Sequence, residues 1–245
     1  MRSIEVIGHR GNKAAYTENT LHGFESAFTS IEFDGVELDV VVSQDKQLFV
    51  AHDMHAKFNQ KNRWHHQFSY QQVLDTAIED NDNSVGKYPL LEQVFALYQA
   101  CNSDQKIQIE IKSDPSLNLP LNISELISAV QILIHRYGLL SIASITSFDY
   151  RYTTESKRQD PSIKTGLIMH RCLLPLDSLI SMEPDAIIFE KNWIIKDDIQ
   201  TLDTLGIDSY AWTANSKSDW ARLKDIKVTG IITDRPKDLA NWLKE

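Results

Sequence analysis

The 245-residue chain has two cysteines, no excess of positive charge and no long apolar run. Cys101 and Cys172 are too few for a disulfide framework and lack metal-ligand spacing, so both are expected to be reduced core thiols. The net charge of −9 excludes the broad basic faces that nucleic acid and anionic membranes select. No stretch approaches the roughly 20 apolar residues of a membrane span. Met1-Arg2-Ser3-Ile4-Glu5 runs directly into a strand and leaves no room for a signal peptide, so a cytoplasmic enzyme is the expectation. Repeats and a dividing linker are also absent, and one domain over residues 1–245 is expected; the oligomeric state, monomer or homodimer, stays open. An acidic enzyme can still take a phosphate substrate where cations mask its carboxylates locally.

What the chain does have is apolar residues, 42% of the total, arranged in β-branched runs at 4–8, 35–42, 48–52, 106–112, 142–148, 164–169, 185–189, 208–213 and 228–233. These alternate with helix-like segments, the pattern of a parallel sheet covered by helices. Only Gln44-Asp45-Lys46-Gln47 joins the second run to the third. A parallel neighbour needs a crossover of about a dozen residues, so 48–52 must return antiparallel as a hairpin arm. Eight parallel strands remain, enough for an α/β (β/α)8 barrel of the TIM type, which uses about 250 residues. Asn19 is a plausible N-cap for a helix carrying Leu21, Phe24, Ala27, Phe28 and Ile31. Leu126, Val130, Leu133 and Ile134 share one helical face later, as do Ile199, Leu202 and Leu205 before Gly206. Residues 53–87 are polar and break the rhythm. They read as an insertion above the barrel mouth with one helix near 69–79, leaving 1–52 and 88–245 for the barrel.

The chemistry concentrates at strand ends. His9 closes Ile4-Glu5-Val6-Ile7-Gly8, and His52 closes Leu48-Phe49-Val50-Ala51. Glu37 and Asp39, two apart on a strand, share one face while Val36, Leu38 and Val40 take the other. Paired acids at a barrel mouth need positive compensation, which a divalent metal supplies economically. Glu110 and Lys112 repeat the device, adding a third acid and a cation. An all-oxygen set suits Mg²⁺ or Ca²⁺ rather than zinc. A lone Glu-x-Asp is more often an ordinary ion pair, but all six residues fall at the strand ends where barrel enzymes place catalysis.

The ordered set His9-Arg10-Gly11, Glu18-Asn19-Thr20, Glu37-Leu38-Asp39-Val40, Asp45, Val50 and His52-Asp53 resembles the signature of glycerophosphodiester phosphodiesterases. The likeness continues through Pro89-Leu90-Leu91-Glu92, Glu110-Ile111-Lys112, Ser147-Phe148-Asp149, Trp212-Thr213-Ala214-Asn215 and Gly230-Ile231-Ile232-Thr233-Asp234-Arg235-Pro236. It implies a variant TIM barrel with an insertion after the second barrel strand. It implies hydrolysis of a small-molecule glycerophosphodiester to sn-glycerol 3-phosphate and an alcohol. His9 and His52 would be the acid–base pair, and Glu37, Asp39 and Glu110 would hold the metal. Arg10 would clamp the phosphate, Lys112 would add charge beside it, and Glu18 and Asn19 would support these groups. Trp212 would wall the glycerol end. Two departures stand out: Thr17 replaces the proline usual before Glu-Asn-Thr, which should loosen that loop, and the insertion lacks the family's glycines.

Other features carry blander expectations. His55, His65 and His66 read as solvated loop histidines, while Trp64 either caps the pocket or packs the insertion. His22, His135 and His170 are assigned nothing. Asp234-Arg235-Pro236 closes the last strand and reads as an ion pair pinning the barrel shut, and Asn215 and Ser147 as residues within reach of the mouth. A relative acting on lysophospholipids would want an apolar rim at the insertion, which 53–87 is too polar to supply. A phosphodiester-binding module would have no use for two proton-transfer groups, and a scaffold would leave the clustered charges unexplained.

Overall fold

Strands buried on both faces read as unbroken apolar runs, and the computed structural model, which describes residues 4–58, 61–79, 87–170 and 175–245, shows why. In chain order the elements are β1 (Glu5–His9), α1 (Leu21–Phe28), β2 (Gly35–Val42), β3 (Leu48–Val50), β4 (His55–Phe58), β5 (Lys61–Trp64), α2 (Tyr70–Glu79) and α3 (Leu91–Ala100). Then follow β6 (Lys106–Ile111), α4 (Ile123–Arg136), β7 (Ala143–Ser147), α5 (Tyr150–Gln159), β8 (Lys164–Met169) and α6 (Leu176–Ile180). The chain closes with β9 (Ala186–Glu190), α7 (Lys196–Leu205), β10 (Asp208–Trp212), α8 (Lys217–Ile226), β11 (Gly230–Thr233) and α9 (Pro236–Lys244).

The neighbour order β1-β11-β10-β9-β8-β7-β6-β2 is parallel throughout, and a β1–β2 pairing closes the ring into an eight-stranded barrel. β3 returns antiparallel on β2, as the four-residue connection requires. Outward-facing Val36, Leu38, Val40, Ile107 and Ile109 pack against Phe24, Leu91, Phe95 and Ile127 of the covering helices. A second such layer, centred on Trp220, Leu202 and Leu239, covers β9 to β11. Inside the barrel Ile7, Ile168, Ile188, Tyr210 and Ile232 fill the axis. Among the described residues no helix is long and apolar enough to cross a membrane.

Several local expectations need correction. The N-cap of α1 is Thr20, whose hydroxyl accepts from the Gly23 N–H; Asn19, one residue earlier, has φ 55° and its side chain is used elsewhere. α1 ends at Phe28, so Ile31 lies beyond it and is fully exposed, and Leu205 is exposed at the end of α7. Gly206 does cap α7, with φ 73°. The loop before α1 is tied although Thr17 replaces proline, because the Thr20 hydroxyl donates to the Thr17 carbonyl at 2.8 Å. Cys101 is free and half-buried; Cys172 lies outside the described residues.

The insertion contains α2 where a helix was expected, and also a two-stranded antiparallel sheet, β4 with β5, that the polar sequence did not announce. Residues 80–86, with Asp80-Asn81-Asp82-Asn83-Ser84 and Gly86, lie outside the described residues. His65 is not solvated: it is 1% exposed and packs edge-on against Phe49 and Tyr88. His66 and Trp64 are half-buried, with the Trp64 ring edge-on to His55 and tilted against His66.

Two stability outcomes follow. A Cβ on Gly35 would sit 2.8 Å from the Lys106 carbonyl and 2.9 Å from Ile7 Cδ1. Neither backbone nor packed core can yield there, so Gly35→Ala should cost about 1–3 kcal/mol; an unchanged urea midpoint would contradict it. Burial, aided by His55, depresses the His65 pKa to about 4. The neutral ring is thus favoured by folding, with its stabilisation complete above the unfolded value near 6.5 and lost as pH falls toward 4, about 3 kcal/mol in all. Urea titrations of wild type and His65→Leu across that window should show a shallower pH dependence in the variant; parallel curves would refute the assignment.

Candidate active site

Strand register assembles the acids. His9 lies beside Glu37 across β1 and β2, and Asp39 lies beside Glu110 across β2 and β6, so all four project to the barrel's inner face at its carboxyl-terminal mouth. Glu37, Asp39 and Glu110 are buried, and each offers an oxygen within 4.8 Å of the others. Three carboxylates so close repel strongly in a low-dielectric site. Burial, then Asp39 and Glu110, raise Glu37 well above the usual carboxylate range. Burial and Asp39 push Glu110 up to about 7. Asp39 differs: burial opposes its charge, but Lys112, Arg10 and the Asn19 amide outweigh it and hold its pKa below the usual value.

The compensating groups are placed by the backbone. Arg10 and Gly11 take left-handed φ values of 59° and 84°, a turn that bends the chain over the end of β1. The Arg10 N–H donates to Glu37 Oε2 at 3.1 Å, its Nη1 donates to Glu18 Oε1 at 2.8 Å, and its Nε lies 3.3 Å from Asp39 Oδ2. Asn19 Nδ2 donates to Asp39 Oδ2 at 2.9 Å. Lys112 Nζ reaches Glu110 at 2.8 Å and Asp39 at 3.4 Å. Lys13 holds the other Glu18 oxygen at 2.6 Å. Glu37 Oε1 and Asn19 Oδ1 remain buried acceptors without a hydrogen-bond donor. Unpaired buried acceptors among repelling hard oxygens fit a divalent cation held by Glu37, Asp39 and Glu110.

The two imidazoles flank this set. His9 Nδ1 lies 2.6 Å from Asp234 Oδ1, and its Nε2 lies 4.0 Å from Glu37 Oε2. Asp234 is itself fixed: Asn215 Nδ2 donates to it at 2.7 Å, and the Asp234 N–H donates to Asn215 Oδ1 at 2.9 Å. His52 Nδ1 pairs with exposed Asp53 at 2.9 Å. Burial lowers the His52 pKa, with Lys112 and Arg10 adding to the effect and Asp39 opposing it. His9, Arg10, His52, Lys112 and Trp212 line one pocket, open to solvent and spanning about 490 Å³ with its mouth included, floored by Ile168, Ile188 and Ile232. Trp212 packs edge-on to Phe148 at 5.4 Å and lies 6.0 Å from His170.

The structure thus brings together His9, His52, Arg10, Lys112, Trp212 and the three acids, with Glu18 and Asn19 touching Arg10 and Asp39 from behind. It also gives Asp234-Arg235-Pro236 its partners, with the Asp234 pair joining the ends of β11 and β1. Asp234 bonds His9, while Arg235 pairs with Asp238 on the surface. Asn215 acts through Asp234, and Ser147 donates to the Ile111 carbonyl as a buried strand fastening. Gln108 and Thr146 also line the pocket and were not foreseen; a polar residue inside an apolar strand run was their only signal.

The chain matches the family described as the glycerophosphoryl diester phosphodiesterase family over residues 9–238. It is 30% identical to a glycerophosphodiester phosphodiesterase of Caldanaerobacter subterraneus, over 98% of both chains. It is 25% identical to a human lysophospholipase D, over 97% of this chain and 85% of that one. A phosphodiesterase from Oleispira antarctica, solved in complex with the product sn-glycerol-3-phosphate, shares the fold with a TM-score of 0.85 at 18% identity, over 99% of this chain and 98% of that one. With its closed barrel and a family match that spans the mouth from His9 onward, the chain belongs to the glycerophosphoryl diester phosphodiesterase family.

Proposed function

We propose that this chain hydrolyses glycerophosphodiesters to sn-glycerol 3-phosphate and a free alcohol, with His9 and His52 transferring the protons. The observation that carries the reading is the pairing of two carboxylate-tethered imidazoles with a buried, under-neutralised acid cluster in one pocket. The product in the Oleispira relative's complex is consistent with it. Glu37, Asp39 and Glu110 would hold Mg²⁺ or Ca²⁺, which supplies positive charge to the phosphoryl oxygens as negative charge develops there.

The chain's own residues do the rest. Arg10 and Lys112 line the pocket and add charge against the non-bridging oxygens. His52, held neutral by its lowered pKa, accepts a proton from the nucleophile at Nε2, because Nδ1 is committed to Asp53. His9 protonates the leaving alkoxide from Nε2, with Asp234 fixing the Nδ1–H tautomer and stabilising the imidazolium. Water or the neighbouring glycerol hydroxyl serves equally as nucleophile in this arrangement, the second route passing through a cyclic phosphate. Trp212 walls the glycerol end.

Replacing either His9 or His52 by Ala should lower kcat at least about 100-fold with glycerophosphoethanolamine, read as glycerol 3-phosphate released. Near-normal turnover in either variant removes that ring from the mechanism. Asp234→Asn should retain substrate binding and lower kcat by about 10–100-fold; a change confined to KM would instead make Asp234 a substrate contact. Because burial and mutual repulsion raise Glu37 and push Glu110 up to about 7, loading Mg²⁺ or Ca²⁺ onto chelator-stripped protein at pH 6.5 should release protons and raise Tm. Both effects should vanish in Asp39→Asn, and cation binding without proton release would place the cation elsewhere.

A further inference from the structure

Two ion pairs at the mouth share one cation that the mechanism leaves unused. Lys13 Nζ lies 2.6 Å from Glu18 Oε2 and 3.6 Å from Asp234 Oδ1. The other Glu18 oxygen takes Arg10 Nη1 at 2.8 Å, and the same Asp234 oxygen lies 2.6 Å from His9 Nδ1. Arg10, Glu18, Lys13, Asp234 and His9 therefore form one line of alternating charge once His9 carries its proton. It runs from the phosphate clamp to the proton donor. Among the described residues no other lysine or arginine comes within 4.0 Å of the Asp234 carboxylate.

The backbone under Lys13 is fastened. Asn12 is 1% exposed, its N–H donates to the Gly23 carbonyl at 3.1 Å, and its Nδ2 donates to the Ser26 hydroxyl at 3.0 Å. The Ala15 and Tyr16 N–H groups both donate to the Asn12 carbonyl at 3.1 Å. Lys13 follows β1 and Asp234 follows β11, which are paired neighbours in the ring. Both side chains are about two-thirds covered, so water screens the pair only in part. Asn215 holds Asp234 Oδ2 and leaves Oδ1 to His9 and Lys13. Burial opposes the Asp234 charge, but His9, Asn215 and Lys13 outweigh it and hold its pKa below the usual carboxylate value.

We infer, building on the hydrolase reading above, that Lys13 is a positioning residue for proton donation by His9. It holds Asp234 Oδ1 in place against Nδ1 and takes up part of the carboxylate's charge. Without it, Asp234 would grip the imidazolium harder and turn more freely about its Asn215 bond, and both changes hinder donation from Nε2. In the step concerned, the nucleophile's oxygen joins phosphorus and its proton passes to His52. The P–O bond to the head group breaks, and its electron pair stays on the alcohol oxygen, which takes the His9 proton. Lys13 is outside the pocket lining and acts on this step only through Asp234.

The test reads head-group release from two diesters, with Mg²⁺ or Ca²⁺ present. Glycerophosphoethanolamine loses an alkoxide that needs a proton, whereas the p-nitrophenyl ester of glycerol 3-phosphate loses a phenolate stable without one. Lys13→Met should lose about 3–10-fold in kcat/KM on the ethanolamine ester and stay within about 2-fold of wild type on the p-nitrophenyl ester. Damage to the fold or to the Arg10 clamp would lower both alike. In an Asp234→Asn background, Lys13→Met should cost nothing further on the ethanolamine ester, because the carboxylate through which it acts is gone. Equal losses on both esters, no loss on either, or a loss that adds in full to that of Asp234→Asn overturns the inference and leaves the hydrolase reading standing. Release from neither ester by wild type contradicts the hydrolase reading and this inference together.

Discussion

Three carboxylates pressed together at the mouth of the barrel are the constraint on which the rest of this structure depends. Glu37, Asp39 and Glu110 are buried within 4.8 Å of one another, where mutual repulsion and lost hydration both oppose charge. The fold answers with fixed counter-charges rather than by exposing the acids. The strained turn at Arg10 and Gly11 turns a backbone N–H toward Glu37 and a guanidinium toward Asp39, and Lys112 bridges Asp39 and Glu110. Two cations do not discharge the cluster, since Glu37 and Glu110 stay raised and Glu37 Oε1 stays without a donor. A site left short of positive charge is prepared for a cation and for the anionic phosphodiester beside it.

That arrangement also explains how the histidines are held. Closure of the barrel sets β1 between β2 and β11, so His9 stands with Glu37 on one side and Asp234 on the other. His52 follows the short antiparallel β3, which lies outside the ring, returns along β2 and delivers the imidazole beside the Asp39 charge. The same ring puts His9, Arg10, Glu37, His52, Glu110 and Lys112 on one side of the pocket and Phe148, Ile168, Ile188 and Trp212 on the other.

The barrel was legible in the sequence because its strands are buried on both faces. Every residue of β2 is buried, and the run is unbroken even through Glu37 and Asp39. The hairpin was legible from the length of its connection, and the acids from their spacing of two on one strand. The β4–β5 pair was not, because its described side chains are largely polar and face solvent, so burial leaves no alternation to read. The N-cap of α1 was misplaced by one residue because Asn19 and Thr20 are both good caps, and only Asp39, twenty positions away, decides which is free to serve. That Asp234 pairs with His9 in particular was not legible, because the two lie 225 residues apart and meet only when the ring closes. His65 was misjudged for the converse reason: its polar neighbours conceal that Phe49 and Tyr88 fold over it.

If the under-neutralised acid cluster holds the divalent cation that phosphodiester hydrolysis needs, removing the cation abolishes turnover. The most direct measurement is release of glycerol 3-phosphate from glycerophosphoethanolamine by chelator-stripped wild-type protein, coupled to glycerol-3-phosphate dehydrogenase, before and after Mg²⁺ or Ca²⁺ is restored. Negligible release from the stripped protein and recovery with at least one of the two cations are expected. Full turnover without any cation, or none with either from folded protein that still binds the diester, would contradict that role for the cluster.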